Sequence, residues 1–256
     1  MRVRKLRQKR GWAINLAVAV IKPALFATTR RTWVDGDKIP AEGGCIVVVN
    51  HVSHVDPLLT ALFVYDHGRI PRYLAKSGLF KNTALARFLV AAGQIPVERL
   101  SRTAIGAYDA AVAAVRAGEC VVVYPEGTLT RDPALWPMTG KSGAARIALE
   151  TGCPVIPVGH WGVQRILAPY SAKPHLVPRQ HVTMKAGDPV DLTDLLGKAR
   201  SGEAVAQATA RIMADITRIV EELRGETAPA ERFDARRMGV QQTGNPNKRE
   251  VRKDEE

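Results

Sequence analysis

Short apolar runs alternate with longer stretches of helical periodicity along most of this chain. Runs rich in β-branched residues predict strands at 46–49, 94–97, 120–124, 155–158 and 182–186. Helical periodicity predicts helices at 57–65, 83–92, 103–116, 142–150 and 203–223. Strand–helix alternation of this kind predicts an α/β domain, in which a central mixed, largely parallel β-sheet is flanked by helices.

The first 32 residues have a different pattern. A basic head, with Arg2 and Arg10 at its ends, precedes an apolar stretch that is interrupted by Lys22 and Pro23. The apolar stretch is shorter than the roughly 20 residues that cross a bilayer. Lys22 and the lack of a small-residue cleavage site argue against a secretory signal. We expect a helical segment that lies on the cytoplasmic face of the cell membrane, as a peripheral or monotopic anchor, with an ordinary packed first helix as the alternative.

The remaining chain divides into two parts. Residues 33–224 carry the predicted α/β domain. Residues 225–256 are polar and include a Gly-Asn-Pro-Asn run. Such a segment has too little apolar surface to offset the entropy of ordering, so it is predicted to be a disordered tail.

Composition narrows the class of partner. The net charge of +12 indicates an anionic partner, which could be nucleic acid, a membrane surface or a phosphate-bearing substrate. Aromatic residues make up only 5% of the chain, and no zinc-finger spacing is present, which argues against nucleic acid. Three widely separated cysteines have no metal-ligand spacing and indicate buried core residues in a reducing compartment.

A histidine and a carboxylate lie on one predicted strand-to-helix turn. His51 and Asp56 follow the apolar run 45–49 and precede a helix that begins with Pro57. A neutral imidazole that is oriented by a carboxylate can take a proton from a hydroxyl. The alternative for Asp56 is a helix N-cap, since aspartate before proline is typical of that position. Ser53 could act as a nucleophile, but no Gly-x-Ser-x-Gly sequence surrounds it.

Further runs contain candidates for anion binding. Arg99 ends the run Gly-Gln-Ile-Pro-Val-Glu-Arg, and its guanidinium could bind phosphate through paired hydrogen bonds or simply lie on the surface. Glu126, Gly127 and Thr128 follow a predicted strand, where glycine permits close approach of backbone N–H groups to an anion. A simple turn is the alternative for this run.

These runs, with Val-Ile-Pro-Val at 155–158, resemble the four ordered motifs of the glycerolipid acyltransferase family, most closely its bacterial members that act on 1-acyl-glycerol 3-phosphate. The resemblance covers about half of the chain. It implies acyl transfer from acyl-CoA or an acyl carrier protein to the free hydroxyl of lysophosphatidate, without a cofactor or metal. Acylation of glycerol 3-phosphate, a lysophospholipid or a glycolipid remains an alternative, as does a membrane-binding module that performs no chemistry.

The resemblance also implies residue roles. His51 would be the general base and Asp56 its orienting carboxylate. The predicted phosphate site comprises Arg99, Glu126, Gly127, Thr128 and Lys76, with Glu126 holding a cation or a glycerol hydroxyl. Lys141 and Arg131 are further candidates for this site. After Gly-Thr the family pattern has arginine, whereas this chain has Leu129 and Thr130 before Arg131.

Overall fold

The computed structural model describes residues 3–97 and 103–241, and its centre is a seven-stranded sheet. The strands are β1 (Thr29–Val34), β2 (Cys45–Val49), β3 (Pro71–Lys76), β4 (Ile95–Val97), β5 (Cys120–Val123), β6 (Val155–Trp161) and β7 (Gln180–Ala186). Their order across the sheet is β1-β7-β6-β2-β5-β3-β4, and β6 and β7 form its antiparallel pair while the other neighbours are parallel. The predicted mixed, largely parallel α/β sheet is confirmed.

Helices cover both faces of this sheet. They are α1 (Trp12–Thr28), α2 (Asp56–Asp66), α3 (Thr83–Ala91), α4 (Thr103–Arg116), α5 (Gly143–Thr151) and α6 (Gly202–Arg224). Alternate side chains of β2 point to opposite faces, as strand geometry requires. Ile46 and Val48 belong to the apolar layer under α4, α5 and α6, whereas Val47 and Val49 belong to the layer under α2. Burial on both faces explains why β2 is apolar throughout.

Two strands, β1 and β3, were absent from the sequence prediction. Strand β1 reads Thr-Arg-Arg-Thr-Trp-Val and lies at one edge of the sheet, where it pairs in parallel with β7. Strand β3 reads Pro-Arg-Tyr-Leu-Ala-Lys. Both strands pair with their neighbours through backbone groups, which does not require apolar side chains. Neither strand therefore has the continuous apolar run by which a buried strand is predicted from sequence. The sheet therefore begins at Thr29, before the boundary that was predicted at residue 32.

Polar contacts join helix α1 and the segment before it to the α/β domain. The Arg4 guanidinium donates to the carbonyl oxygen of Ile39 at 2.8 Å. Lys22 Nζ lies 2.8 Å from Asp66 Oδ1, and Trp33 Nε1 donates to Asp66 Oδ2 at 3.1 Å. Within the described residues, every helix is too short or too polar to cross a membrane.

The chain after α6 packs against the domain as far as it is described. The carbonyl of Phe233 accepts a hydrogen bond from Thr139 N at 3.0 Å, and Arg232 Nε donates to Thr217 Oγ1 at 3.3 Å. Ala235 is buried. Residues 225–241 of the predicted disordered tail thus include specific contacts, and residues 242–256 lie outside the described part.

Candidate active site

The candidate site forms where three parallel strands end. Strand β2 lies between β5 and β6, so the residues that follow these strands meet at one edge of the sheet. Carboxyl ends of parallel strands are the common position of ligand sites in open α/β sheets. The residues here are the turn 50–55 after β2, the loop after β5 and the end of β6.

His51 and Asp56 meet across this turn. His51 Nδ1 lies 2.9 Å from Asp56 Oδ2, and the Asp56 side chain is fully buried while that of His51 is 16% exposed. A carboxylate can only accept, so Nδ1 carries the hydrogen and Nε2 is the nitrogen left for proton transfer. The pair has the geometry of an oriented general base.

The alternative prediction, that Asp56 is the N-cap of the helix, is wrong. Asp56 is the first residue of α2, Val55 precedes the helix, and the Asp56 carboxylate accepts from upstream N–H groups instead. Oδ2 accepts from Val52 N at 2.7 Å and from Ser53 N at 2.8 Å. One oxygen thus fixes the backbone of the turn and the His51 ring together.

The ionisation of Asp56 reflects two opposing effects. Burial disfavours its charged form, but the imidazoles of His160 and His51 favour it through charge and hydrogen bonding, and together they hold the pKa of Asp56 at about 2. Asp56 is therefore a carboxylate at any physiological pH.

The His51 ring is also held from the side. It stacks on the Tyr124 ring with centroids 4.2 Å apart and planes 26° apart. Tyr124 Oη donates to Thr60 Oγ1 at 3.0 Å, and burial raises the pKa of Tyr124 well above its usual range, so the phenol stays neutral. The stack restricts the imidazole to one plane.

Glu126 does not line the cavity that is described below. Its side chain instead holds the main chain of the turn 50–55 at His51. Its Oε1 accepts from His51 N at 2.9 Å and its Oε2 accepts from Met138 N at 3.0 Å. The side chain is 3% exposed, and burial raises the pKa of Glu126 to about 8 against the effect of these two N–H groups. With both oxygens occupied by backbone N–H groups, Glu126 positions the His51 main chain, which differs from the predicted contact with a cation or glycerol hydroxyl.

Gly127, Thr128 and Lys141 come together at the cavity wall. Gly127 has φ of 71°, in the left-handed region that favours glycine. A Cβ atom at this position would lie 2.9 Å from Lys141 Nζ, so glycine allows the lysine side chain to cross the loop. Gly127 N donates to the Tyr124 carbonyl, and the ammonium group of Lys141 brings positive charge to this wall.

Of the other predicted anion ligands, Arg131 lies away from this group, and the side chains of the other two fall outside the described part of the chain. Arg131 is 8% exposed and does not line the cavity; its guanidinium carbon lies 4.5 Å from the ring centroid of Tyr170. Lys76 is the last residue of β3, and its side chain lies outside the described part. Arg99 lies in the segment 98–102, which is also outside the described residues.

Ser53 is occupied by a structural contact. Its hydroxyl donates to the Leu167 carbonyl at 2.7 Å, and the residue is fully buried. These contacts do not suit a nucleophile. In the part of the chain that is described, no three metal-binding side chains converge on a possible ion site.

A cavity of about 970 Å³ opens beside His51. This volume is at the upper end of the range of about 300–1,000 Å³ that is usual for small-molecule sites. Helices α1, α2 and α3 supply apolar walls, with these residues among them: Ile14, Ala17, Val18, Leu58, Ala61, Leu62, Phe88 and Leu89. The cavity therefore combines a mostly apolar lining with polar groups that include His51 and Lys141.

Sequence reasoning missed Asn50 and His160. Asn50 Nδ2 donates to the His160 carbonyl at 3.2 Å, and His160 N donates to Asn50 Oδ1 at 2.9 Å. His160 Nε2 lies 3.6 Å from Asp56 Oδ2. A polar residue directly after the buried run 155–159 was the available signal in the sequence.

Sequence comparison places these residues in a known family. A model of the acyltransferase family matches residues 31–161, which contain the whole turn, Glu126 and His160. A 1-acyl-sn-glycerol-3-phosphate acyltransferase of Borreliella burgdorferi is 32% identical over 144 residues, which are 55% of each chain. A chloroplast protein of the same name from Brassica napus is 31% identical over 124 residues, 48% of this chain and 34% of that one. The chain thus spans between a third and about half of the length of these relatives.

The fold agrees with a solved structure. The 1-acyl-sn-glycerophosphate acyltransferase PlsC of Thermotoga maritima superposes with a TM-score of 0.60 over 84% of both chains, at 22% identity. At this identity the match supports the fold alone. Because the family model matches just over half of the chain, including the oriented His51–Asp56 pair, the sequence resemblance is confirmed and the chain belongs to the acyltransferase family.

Proposed function

We propose that this protein transfers an acyl group from a thioester donor to the free hydroxyl of 1-acyl-sn-glycerol 3-phosphate. The observation that carries the proposal is the position of the His51–Asp56 pair, whose histidine lines a large and mostly apolar cavity. A hydroxyl acceptor needs a base, and an acyl chain needs an apolar site. The relatives that bear this activity in their names support the choice of acceptor.

The proposed reaction is a direct displacement. His51 Nε2 takes the proton as the acceptor oxygen attacks the thioester carbonyl carbon. The new ester bond forms, the carbon–sulfur bond breaks, and the imidazolium returns its proton to the leaving thiolate. Asp56 stabilises the imidazolium through the Nδ1–H contact of 2.9 Å. The thioester is already activated, so the scheme has no acyl-enzyme intermediate and no cofactor.

The cavity would hold an acyl chain and a phosphate at its two ends. Burial of each methylene group contributes roughly 0.8 kcal/mol, which makes the apolar walls of α1, α2 and α3 a strong site for a long chain. Lys141, together with Arg99 from the segment 98–102, would supply charge for the phosphate. Either acyl-CoA or an acyl carrier protein could serve as donor.

We also propose that the protein binds the cytoplasmic face of the cell membrane through α1. Trp12, Leu16 and Val20 are spaced four residues apart on this helix and are 59%, 49% and 60% exposed. On the neighbouring helix α3, Val90 is 63% exposed. The same two helices also line the cavity, and the basic residues 2–10 precede this surface, so an anionic bilayer is the partner that fits these features.

An acceptor panel tests the proposal. Purified protein in detergent is given acyl-CoA or acyl carrier protein thioester, and lysophosphatidate, glycerol 3-phosphate and a lysophospholipid are compared by kcat/KM. We expect lysophosphatidate to be preferred, with His51→Ala lowering the rate by at least about 10²-fold while the fold is kept. Preference for another acceptor would show that the proposed substrate is wrong. Full activity of His51→Ala would show that His51 is not the general base.

A further inference from the structure

His160 is a buried histidine that the proposed chemistry does not yet use. It lies near the end of β6 and has no solvent exposure. Its Nε2 lies 2.9 Å from the carbonyl oxygen of Asn50, in addition to the two hydrogen bonds between Asn50 and the His160 main chain. A carbonyl only accepts, so His160 Nε2 carries a hydrogen. Residues 110 positions apart are thus linked by three hydrogen bonds directly beside the His51 turn.

The same nitrogen also lies close to Asp56, within the range of a charge contact and beyond that of a hydrogen bond. His160 Nε2 lies 3.6 Å from Asp56 Oδ2, which is the oxygen that His51 Nδ1, Val52 N and Ser53 N also contact. Asp56 Oδ1 is buried and has no hydrogen-bond partner among the described residues. The direction of the carboxylate therefore depends on the groups around Oδ2, and His160 is the one that comes from a different strand.

We infer that His160 is a positioning residue for acyl transfer, whose imidazole binds the Asn50 carbonyl through Nε2–H, lies against Asp56 Oδ2 and thereby fixes the carboxylate that orients His51. This inference rests on the proposed function. It adds a second imidazole to the base and carboxylate, on the side of Asp56 that faces the core. His160 does not touch the cavity, so it acts only through Asp56 and the turn.

Other groups around Asp56 cannot take over this role. Tyr73 and Tyr124 are half-buried nearby, but their hydroxyl groups donate to the Pro57 carbonyl and to Thr60. Both oxygens of Glu126 are held by the main-chain N–H groups of His51 and Met138, so its side chain is directed at the backbone. Removing the His160 N–H therefore leaves Oδ2 without its contact from the core, in a site that water does not reach.

A matched pair of variants tests the inference. His160→Gln keeps an N–H donor at about the distance of Nε2, whereas His160→Met has similar length and no donor. We expect His160→Met to lower kcat by at least about 10-fold while the KM for the acceptor changes by less than about 3-fold, because the loss is in orientation and not in binding. His160→Gln should recover most of kcat. His160→Phe, which keeps a ring, is the second apolar variant if His160→Met does not fold.

Two controls separate positioning from packing. His67→Gln changes another buried histidine, at the far end of α2, and should leave kcat unchanged. The Nδ1–H proton of His51 gives an NMR signal that does not depend on activity, and this signal should be kept in His160→Gln and lost to water exchange in His160→Met. If the wild type fails to acylate lysophosphatidate, the proposed function is wrong. This signal still tests whether His160 positions His51.

Several results would overturn the inference. Equal kcat in the Gln and Met variants would make His160 a packing residue. A change confined to the acceptor KM would place its effect on binding. An unchanged His51 Nδ1–H signal in a folded His160→Met protein would show that Asp56 is oriented without His160.

Discussion

Replacing Asp56 by asparagine separates the charge of this residue from its hydrogen bonds. The asparagine oxygen can still accept from Val52 N, Ser53 N and His51 Nδ1, which all contact Oδ2 in the wild type. The side chain is fully buried, so it cannot take a new position in solvent. What Asp56→Asn removes is the negative charge next to His51.

The structure gives the expected size of the stability effect. The pKa of Asp56 is about 2, below its ordinary value of 3.8, because the imidazoles of His160 and His51 outweigh the opposing effect of burial. A difference of nearly two pKa units corresponds to about 2 kcal/mol. Since the folded pKa is the lower one, this stabilisation is present above pH 3.8 and is lost as the pH falls through 2. At pH 7 the variant should therefore melt roughly 4–8 °C lower.

The kinetic effect should be much larger. Without the carboxylate, the imidazolium that forms during proton transfer is no longer stabilised, and kcat should fall by roughly 10²–10⁴-fold. Melting temperature and turnover per folded molecule are measured on the same preparation. Glu119→Gln is the control: its carboxylate is bonded to Arg72, which lowers the pKa of Glu119, and it lies outside the cavity. We expect Glu119→Gln to change stability and leave kcat intact. Normal turnover in Asp56→Asn would refute the reasoning and leave Asp56 as a purely structural residue.

Three further outcomes are expected. Burial raises the pKa of Glu126 from 4.5 to about 8, so the free energy of unfolding should fall as pH rises across this range, and urea titrations of Glu126→Gln should lose that slope. Arg99→Ala should raise the acceptor KM by roughly 10–100-fold, and unchanged kinetics would remove Arg99 from the site. Serine at Trp12, Leu16 and Val20 together should release the protein from anionic vesicles in high salt, whereas exposed Val177→Ser should not.

Much of the sheet could be predicted because its central strands are buried on both faces. Strands β2, β5 and β6 are the three with continuous apolar runs, and each was predicted within a few residues of its observed ends. His51 and Asp56 could be paired because a short turn after a strand brings both side chains to the same edge. Local sequence contains this information directly.

The parts that escaped prediction depend on contacts between distant residues. Strand β1 carries two arginines, and its place in the sheet is decided by β7, about 150 residues later. Glu126 was assigned to a ligand because its run matches a family motif, and only the structure shows that both oxygens meet backbone N–H groups. The link between Asn50 and His160 spans 110 residues and leaves no periodic signal in the chain.

Helix α1 connects the proposed membrane contact to the proposed chemistry. One side of it lines the cavity with Ile14 and Val18, and another exposes Trp12 and Val20. Lys22 fixes the helix to Asp66 at the end of α2, whose first residue is Asp56. If α1 rests on a bilayer as proposed, the cavity wall lies at the lipid surface, and an acyl chain could enter without exposing its methylene groups to water. The same helix would then set both the location of the enzyme and the path of its lipid substrate to His51.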